Sequence, residues 1–271
     1  MSRPRTLLAV HAHPDDEPIS TAGILALYAD RGVRTVVVTC TDGALGVGAD
    51  RVEVARVRRV ELEHSCTHLG VSELVLLGYG DSGMAGAASN ADSGAFMNTP
   101  VERVAARLAS LLEQHRPEVV VTYPADGGYG HPDHIHTHRA TVAAVRDVDQ
   151  VRKLYFTART DAFRRRMQRV RDKLVASAEG AAQPPLRTPA TATTATADIT
   201  TVVDTSSTLV RRRAALASHR SQLDGTHWLD MPDDDFAALF DTETYVRVLD
   251  TTGTPVPETD LFAGFADISR T

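Results

Sequence analysis

"RTLLAVHAHPDDEPIS", residues 5–20, runs from an apolar stretch into two histidines and three consecutive acids. The apolar part reads as a buried strand, and Pro18 suits the first turn of a helix that Gly32 stops. A parallel α/β sheet gathers its ligand-binding groups at the carboxyl ends of its strands, which is where this cluster falls. The stretch therefore predicts both a sheet and a site at its edge.

Working outward, "RTVVVTC" (34–40), "LVLLGYG" (74–80), "EVVVTYP" (118–124) and "RKLYFTAR" (152–159) repeat the strand pattern. Helical stretches from Val52 to Leu69, Val101 to His115 and about Asp133 to Val145 separate them. The strands are too apolar to have a wet face, so both faces of the sheet must be covered. The alternation predicts an α/β fold: a Rossmann-like doubly wound, mostly parallel sheet flanked by helices, with a C-terminal β/α extension.

Three segments are expected. Residues 1–178 form the catalytic core carrying both chemical motifs, and "EGAAQPPLRTPATATTATAD" (179–198) is a flexible loop rich in proline, alanine and threonine. Residues 199–271 pack on the core, with a strand in "ITTVVDT" (199–205), Ser206 as a cap and a helix over 207–223.

The 271 residues, 42% hydrophobic, suffice for one large core. A net charge of −6 argues against nucleic acid as a partner, since that needs a basic face. No apolar run is long enough to insert in a membrane, and "MSRPRTLLAV" is poorer in apolar residues than the roughly 7–15 of a signal peptide. Cys40 and Cys66 lack metal or redox spacing and read as reduced core thiols, which with the absent signal predicts a cytoplasmic protein.

His13 and Asp16 sit where a tight turn can aim both side chains at one point, and imidazole nitrogen and carboxylate oxygen are ligands that zinc accepts. "YPADGGYGHPDHIHTH" (123–138) follows the fourth strand with a glycine-rich turn and a second His/Asp cluster. In the commonest doubly wound order the first and fourth strands are neighbours where the order reverses, so the two clusters meet in one cleft. His13, Asp16 and one histidine of the second cluster give three ligands and an open position, the arrangement of a catalytic zinc.

"AHPDDE" (12–17) together with "GHPDH" (130–134) resembles the PIG-L (LmbE-like) family of zinc-dependent N-deacetylases, over roughly residues 5–145. "GGYGHPDHIHTH" with "DSGMAG" (81–86) resembles its mycothiol-biosynthesis deacetylase and mycothiol conjugate amidase branch. The resemblance implies one Zn2+ per chain on His13, Asp16 and His134, another divalent metal such as Fe2+ being the alternative. It implies Asp15 as general base, and His131 as the group that polarises the carbonyl or protonates the departing amine. Asp133 would orient the His131 ring and Tyr129 would donate to the oxyanion. Arg58, Asp81 and Met84 match positions that hold a sugar, so the implied partner is a small N-acyl amino-sugar substrate. "ASHRSQ" (217–222) resembles a recurrent C-terminal segment in which His219 would help close the cleft. Assembly into a homo-oligomer stays open.

Plainer readings stand beside these. Asp15 and Asp16 could cap a helix, although a cap needs one acid and not a set mirrored on another strand. Asp126 serves a turn, and His136 and His138 read as packing or surface residues. Arg58 could be an ordinary salt-bridging helix residue and Asp81 a loop residue. Phe163, Met167, Val170 and Leu174 recur at helical spacing and read as a core stripe rather than a membrane face.

The reaction expected is metal-assisted removal of an N-acyl group, most simply acetyl, from an amino sugar or its glycoside. An amidase of mycothiol S-conjugates is the near alternative; that branch has a lysine after "DSG", where Met84 and Ala85 stand here. A tailoring deacetylase of a glycosylated natural product is another, and a non-catalytic sugar-binding protein is more distant. A nucleotide-binding module is disfavoured, because the first turn lacks Gly-x-Gly and its acids repel a pyrophosphate.

Overall fold

Strands β1 (Thr6–His11), β2 (Arg34–Thr41), β3 (Glu73–Tyr79), β4 (Val119–Thr122) and β5 (Lys153–Ala158) run parallel in the computed structural model, which describes residues 3–177, 198–223 and 228–265. Strands β6 (Thr201–Asp204) and β7 (Thr242–Asp250) complete the sheet, with β7 antiparallel to both β5 and β6. The order β3-β2-β1-β4-β5-β7-β6 reverses between β1 and β4, as the sequence predicts. The C-terminal part thus adds two strands to the same sheet.

Side chains alternate across the parallel strands with a period of two, and each face meets helices. Leu7, Ala9, Val37, Val119 and Val121 pack with residues of α2 (Ala22–Asp30) and α3 (Arg51–Leu69), including Ile24, Leu25 and Leu62. Leu8, Val10, Val36, Val38 and Val120 pack with α4 (Val101–His115) and α5 (Pro132–Arg146) through Leu108, Leu112, Ala140 and Ala144. Cys40 and Cys66 are buried and unpaired in these layers.

A third apolar cluster joins α6 (Asp161–Ser177), α7 (Leu209–Ser218) and α9 (Asp233–Phe240). Val170 is buried there, with Phe163 and Met167 packed against the cluster, whereas the side chain of Leu174 lies outside the described residues. The loop expected at 179–198 lies outside them too, apart from Asp198. No helix among the described residues is long and apolar enough to cross a membrane.

Two expected helices are broken. The helix read over 17–32 is α1 (Asp16–Ser20) followed by α2, with Thr21 between them at φ −143° and ψ 4°. The Thr21 hydroxyl lies 2.9 Å from His11 Nε2, and the Glu243 carboxylate accepts from the Gly23 and Ile24 N–H groups at 2.8 and 3.0 Å. A buried carboxylate thereby serves the orphan donors of the second start. The helix read over 207–223 divides at His219 into α7 and α8 (Arg220–Leu223), and Ser206 opens a 3-10 turn rather than capping it.

Candidate metal centre and active site

The carboxyl ends of the parallel strands carry the chemistry: His13 to Asp16 after β1, Asp81 after β3, Tyr123 after β4 and Arg159 after β5. The backbone turns sharply at Asp15, which holds φ 98° and ψ −4°, a left-handed conformation strained for any residue but glycine. That turn brings the Asp16 carboxylate back to accept from the His13 N–H at 2.7 Å.

The second cluster arrives on α5, where Pro132 opens the helix and His131 caps it, its Nδ1 accepting from the Asp133 N–H at 3.2 Å. Gly127 lets the preceding loop close on this helix. Its φ is +69°, and a Cβ there would stand 2.7 Å from that of His134. Its carbonyl lies 3.1 Å from His134 Nδ1, so that nitrogen carries the proton and Nε2 offers a bare lone pair.

Three side chains converge. His13 Nδ1 is 3.2 Å from His134 Nε2 and 3.5 Å from the Asp16 carboxylate, and His134 Nε2 is 3.4 Å from the other Asp16 oxygen. With zinc–ligand bonds of about 2.0–2.2 Å, the edge of a tetrahedron is about 3.3–3.6 Å. Each of the three separations lies near that edge, though the two to Asp16 use different carboxylate oxygens, and imidazole nitrogen with carboxylate oxygen is the chemistry of a zinc-like site. His13, His131 and His134 also bring their ring nitrogens within 4.8 Å of one another, as do donor atoms of His13, Asp81, His131 and Asp133.

Outer contacts fix the donors. His13 Nε2 faces the Asp133 carboxylate at 3.1 Å and that of Asp81 at 3.6 Å. Tyr123 stacks on the His134 ring with centroids 4.1 Å apart, and its hydroxyl donates to Asp16 at 2.7 Å while accepting from the Ala12 N–H at 2.8 Å. Such partners hold ligand rings and carboxylates in register.

The histidines and carboxylates of the centre set one another's charge. Against the burial that opposes charge, Asp133, Asp16 and Asp81 draw His13 well above the ordinary histidine value. Burial likewise opposes ionisation of Asp16, yet the His134 and His13 rings hold its carboxyl well below the usual range. His134 is pushed down to about 3, by burial first, with Asp16 pulling the other way. His131 is pushed down to about 4 by burial and by His13, which keeps it neutral near pH 7.

Asp15 stands beside this centre without joining the three donor side chains. Burial raises its carboxyl above the usual range, against the pull of Arg58, whose Nη2 lies 3.0 Å away. Arg58 is only 4% exposed; it donates to the Gly43 and Pro14 carbonyls at 2.5 and 2.6 Å, and its Nε finds no partner. The side chain expected to reach a sugar is thus bound up in the protein around Asp15.

Other expected residues take unexpected places. The Asp133 carboxylate, expected to orient His131, instead faces His13 and accepts from the Ser82 N–H at 2.9 Å; only the backbone N–H of Asp133 meets the His131 ring. Asp81 accepts from the Gly83 N–H at 2.8 Å, and despite burial the His13 contact holds its carboxyl low. Met84 is 42% exposed, on a loop that continues to the fully buried Phe96. His136 is buried against Phe96, and Asp126 accepts from the Gly128 N–H at 2.9 Å in its turn. His138 is half-buried, its Nδ1 2.8 Å from the Tyr123 carbonyl. His219 does not edge the cleft: it is wholly buried, with Nε2 2.7 Å from Glu17.

A cavity of about 530 Å3 opens beside the donors, lined by Asp15, Asp16, His134, Tyr129, Arg159 and Trp228 among others. The Tyr129 hydroxyl lies 3.3 Å from His134 Nε2, at the cavity wall. Tyr123, Glu17 and Ser82 escape a reading of the sequence alone; the tyrosine following the β4 run is the one visible signal, a polar aromatic at a strand's carboxyl end.

A family model described as PIG-L, GlcNAc-PI de-N-acetylase, matches residues 8–145. The chain is 38% identical to a 1D-myo-inositol 2-acetamido-2-deoxy-alpha-D-glucopyranoside deacetylase of Acidothermus cellulolyticus, over 96% of this chain and 95% of that protein. In structure it resembles the N,N'-diacetylchitobiose deacetylase of Pyrococcus horikoshii (TM-score 0.54, 21% identity, 86% of this chain and 73% of the other). It also resembles GalB, a 4-carboxy-2-hydroxymuconate hydratase of Pseudomonas putida KT2440 (TM-score 0.59, 16% identity, 90% and 96%), so the shared fold by itself does not fix the reaction. The extent of the sequence matches, with both motifs inside the matched span, places this chain in the PIG-L family.

Proposed function

We propose that the chain is a zinc-dependent hydrolase that removes an N-acyl group, most simply acetyl, from an amino sugar or its glycoside. The observation that carries the reading is the convergence of His13 Nδ1, Asp16 and His134 Nε2 at 3.2–3.5 Å with Asp15 beside them. The amino-sugar substrate rests on likeness to a deacetylase of a 2-acetamido-2-deoxy-glucopyranoside conjugate. Family membership supports a reaction at an amide carbon–nitrogen bond.

His13, Asp16 and His134 would hold the zinc. When bound, zinc makes water acidic near neutral pH and acts as a Lewis acid toward an amide carbonyl.

The chain's own groups divide the rest. Asp15, with a raised carboxyl and a side chain open to the cavity, takes a proton from the attacking water and passes it to the departing amine as the carbon–nitrogen bond breaks. His131 is neutral with Nδ1 occupied by the Asp133 N–H, so its Nε2–H is the donor that polarises the carbonyl. Tyr129, whose hydroxyl burial keeps protonated, donates from the cavity wall to the developing oxyanion. Asp133 acts through His13 rather than His131. Asp81 and Met84 are the residues proposed to meet the sugar ring, and Arg58 orients Asp15.

The direct test is release of free amine from N-acetylglucosaminyl glycosides by zinc-loaded protein. Release that depends on zinc is expected. No release from any N-acyl amino sugar by the loaded protein overturns the reading.

A further inference from the structure

The strained turn at Asp15 is held from behind by a buried carboxylate. The Asp15 N–H donates to Glu17 Oε2 at 3.2 Å, and Glu17 is fully buried. Its other oxygen accepts from the Ser65 hydroxyl of α3 at 2.5 Å and meets His219 Nε2 at 2.7 Å. His219, also fully buried, stands at the break between α7 and α8, more than two hundred positions along the chain from the turn it supports.

The residues next to His219 clasp the same region. Ser221 donates from its N–H and hydroxyl to Glu61 of α3 at 2.7 and 2.6 Å. Gln222 accepts from the Val47 N–H at 2.7 Å, on the loop that contains Gly43, where Arg58 is anchored. Arg58 in turn grips the Asp15 carboxylate. Left-handed backbone at a non-glycine residue persists only where its surroundings over-determine it. Here the backbone of Asp15 is fixed through Glu17 and its side chain through Arg58, and both fixings lead to the turn at 219–222.

We propose that His219 is a positioning residue: through Glu17 it imposes the left-handed conformation that aims the Asp15 carboxylate into the cavity. The C-terminal extension then contributes to the reaction without touching substrate. This rests on the reading of Asp15 as the base, and the experiment separates the two.

His219→Leu, His219→Gln and Glu17→Gln are compared with the unaltered zinc-loaded protein in zinc content, kcat and KM for amine release, and crystal structure. A displaced reactive group costs about tenfold to a hundredfold in rate. His219→Leu is expected to lose that much in kcat, with KM within about twofold and full zinc content, and Asp15 should relax from positive φ. His219→Gln, whose amide can reach Glu17, should recover most of the loss. If the leucine variant does not fold, Ser65→Ala removes one bond to Glu17 at smaller cost, and a severalfold fall in kcat is expected.

The proposal is overturned if Asp15 keeps its positive φ with Glu17 unpaired, if kcat stays within about twofold, or if lost activity simply follows lost zinc. If the unaltered protein releases no amine, the proposed function fails, while the φ of Asp15 in His219→Leu still decides the positioning role.

Discussion

The Tyr123 hydroxyl donates to the Asp16 carboxylate at 2.7 Å while its ring stacks on His134 at 4.1 Å between centroids. One buried side chain at the end of β4 therefore orients two of the three candidate ligands. Removing a partner of this kind typically costs about 10–100-fold in metal affinity or activity. Tyr123→Phe keeps the stacking and loses only the hydrogen bond. It should weaken zinc binding by about that factor, measured by competition with a chromogenic chelator. Unchanged affinity would mean that Asp16 is held well enough by the His13 N–H alone.

Asp15 is open to the cavity but outside the trio of donors, so its carboxylate can be removed without dismantling the centre. Asp15→Asn should retain full zinc content and lose about 10²–10⁴-fold in kcat. Elemental analysis alongside steady-state amine release checks both halves. A variant that lost zinc in proportion to activity would move Asp15 from base to ligand.

Arg212 and Glu243 form a buried ion pair at 2.7 Å, and Glu243 also serves the start of α2. Removing one member of such a pair leaves the other charge buried and uncompensated, which costs about 3–5 kcal/mol. Arg212→Met should lower unfolding stability by that amount in urea. Adding Glu243→Gln to it should restore part of the loss, because the orphaned charge is gone while the amide oxygen can still accept from α2.

Stability should fall in mild acid. Burial, with Arg34 adding, holds His115 below 6.5, and burial likewise lowers His136 and His138. A histidine depressed in the folded state contributes stability that is present above its unfolded value and lost as pH falls through the folded one. Each therefore adds up to about 1.4 kcal/mol per pH unit of slope below about 6.5. His219 works in the opposite sense: against burial, Glu17 raises it, so its contribution is full below 6.5 and fades as pH rises through the raised value. Metal-free protein should show a urea midpoint that drops between pH 7 and pH 5, and His115→Asn should flatten that slope. A midpoint rising toward acid would contradict the assignment.

Much of the fold is written in local patterns. The apolar runs at 6–11, 34–41 and 119–122 have no polar face, so they can only be strands buried on both sides, and the intervening amphipathic stretches can only be their covering helices. β7 is harder to see, because "TETYVRVLD" buries Glu243 and Tyr245 and leaves Val248 exposed, the reverse of a simple hydropathy pattern. Its buried acid makes sense only beside Arg212 and the start of α2. The two helix breaks, at Thr21 and His219, likewise follow from partners elsewhere in the chain, His11 in one case and Glu17 in the other.

The same division runs through the site. The sequence alone determined which residue types gather at the carboxyl edge, because apolar periodicity marks the strands and right-handed crossovers put their carboxyl ends on one side. That residues 13–16 and 131–134 face one another followed only with the commonest strand order, which the sheet adopts. Only the tertiary structure decided which nitrogen each histidine offers, that Arg58 and Glu17 brace Asp15 instead of meeting solvent, and that Asp133 faces His13. Those choices are made by hydrogen-bond partners distant in sequence, and the low dielectric of the interior forces every buried polar group to find one.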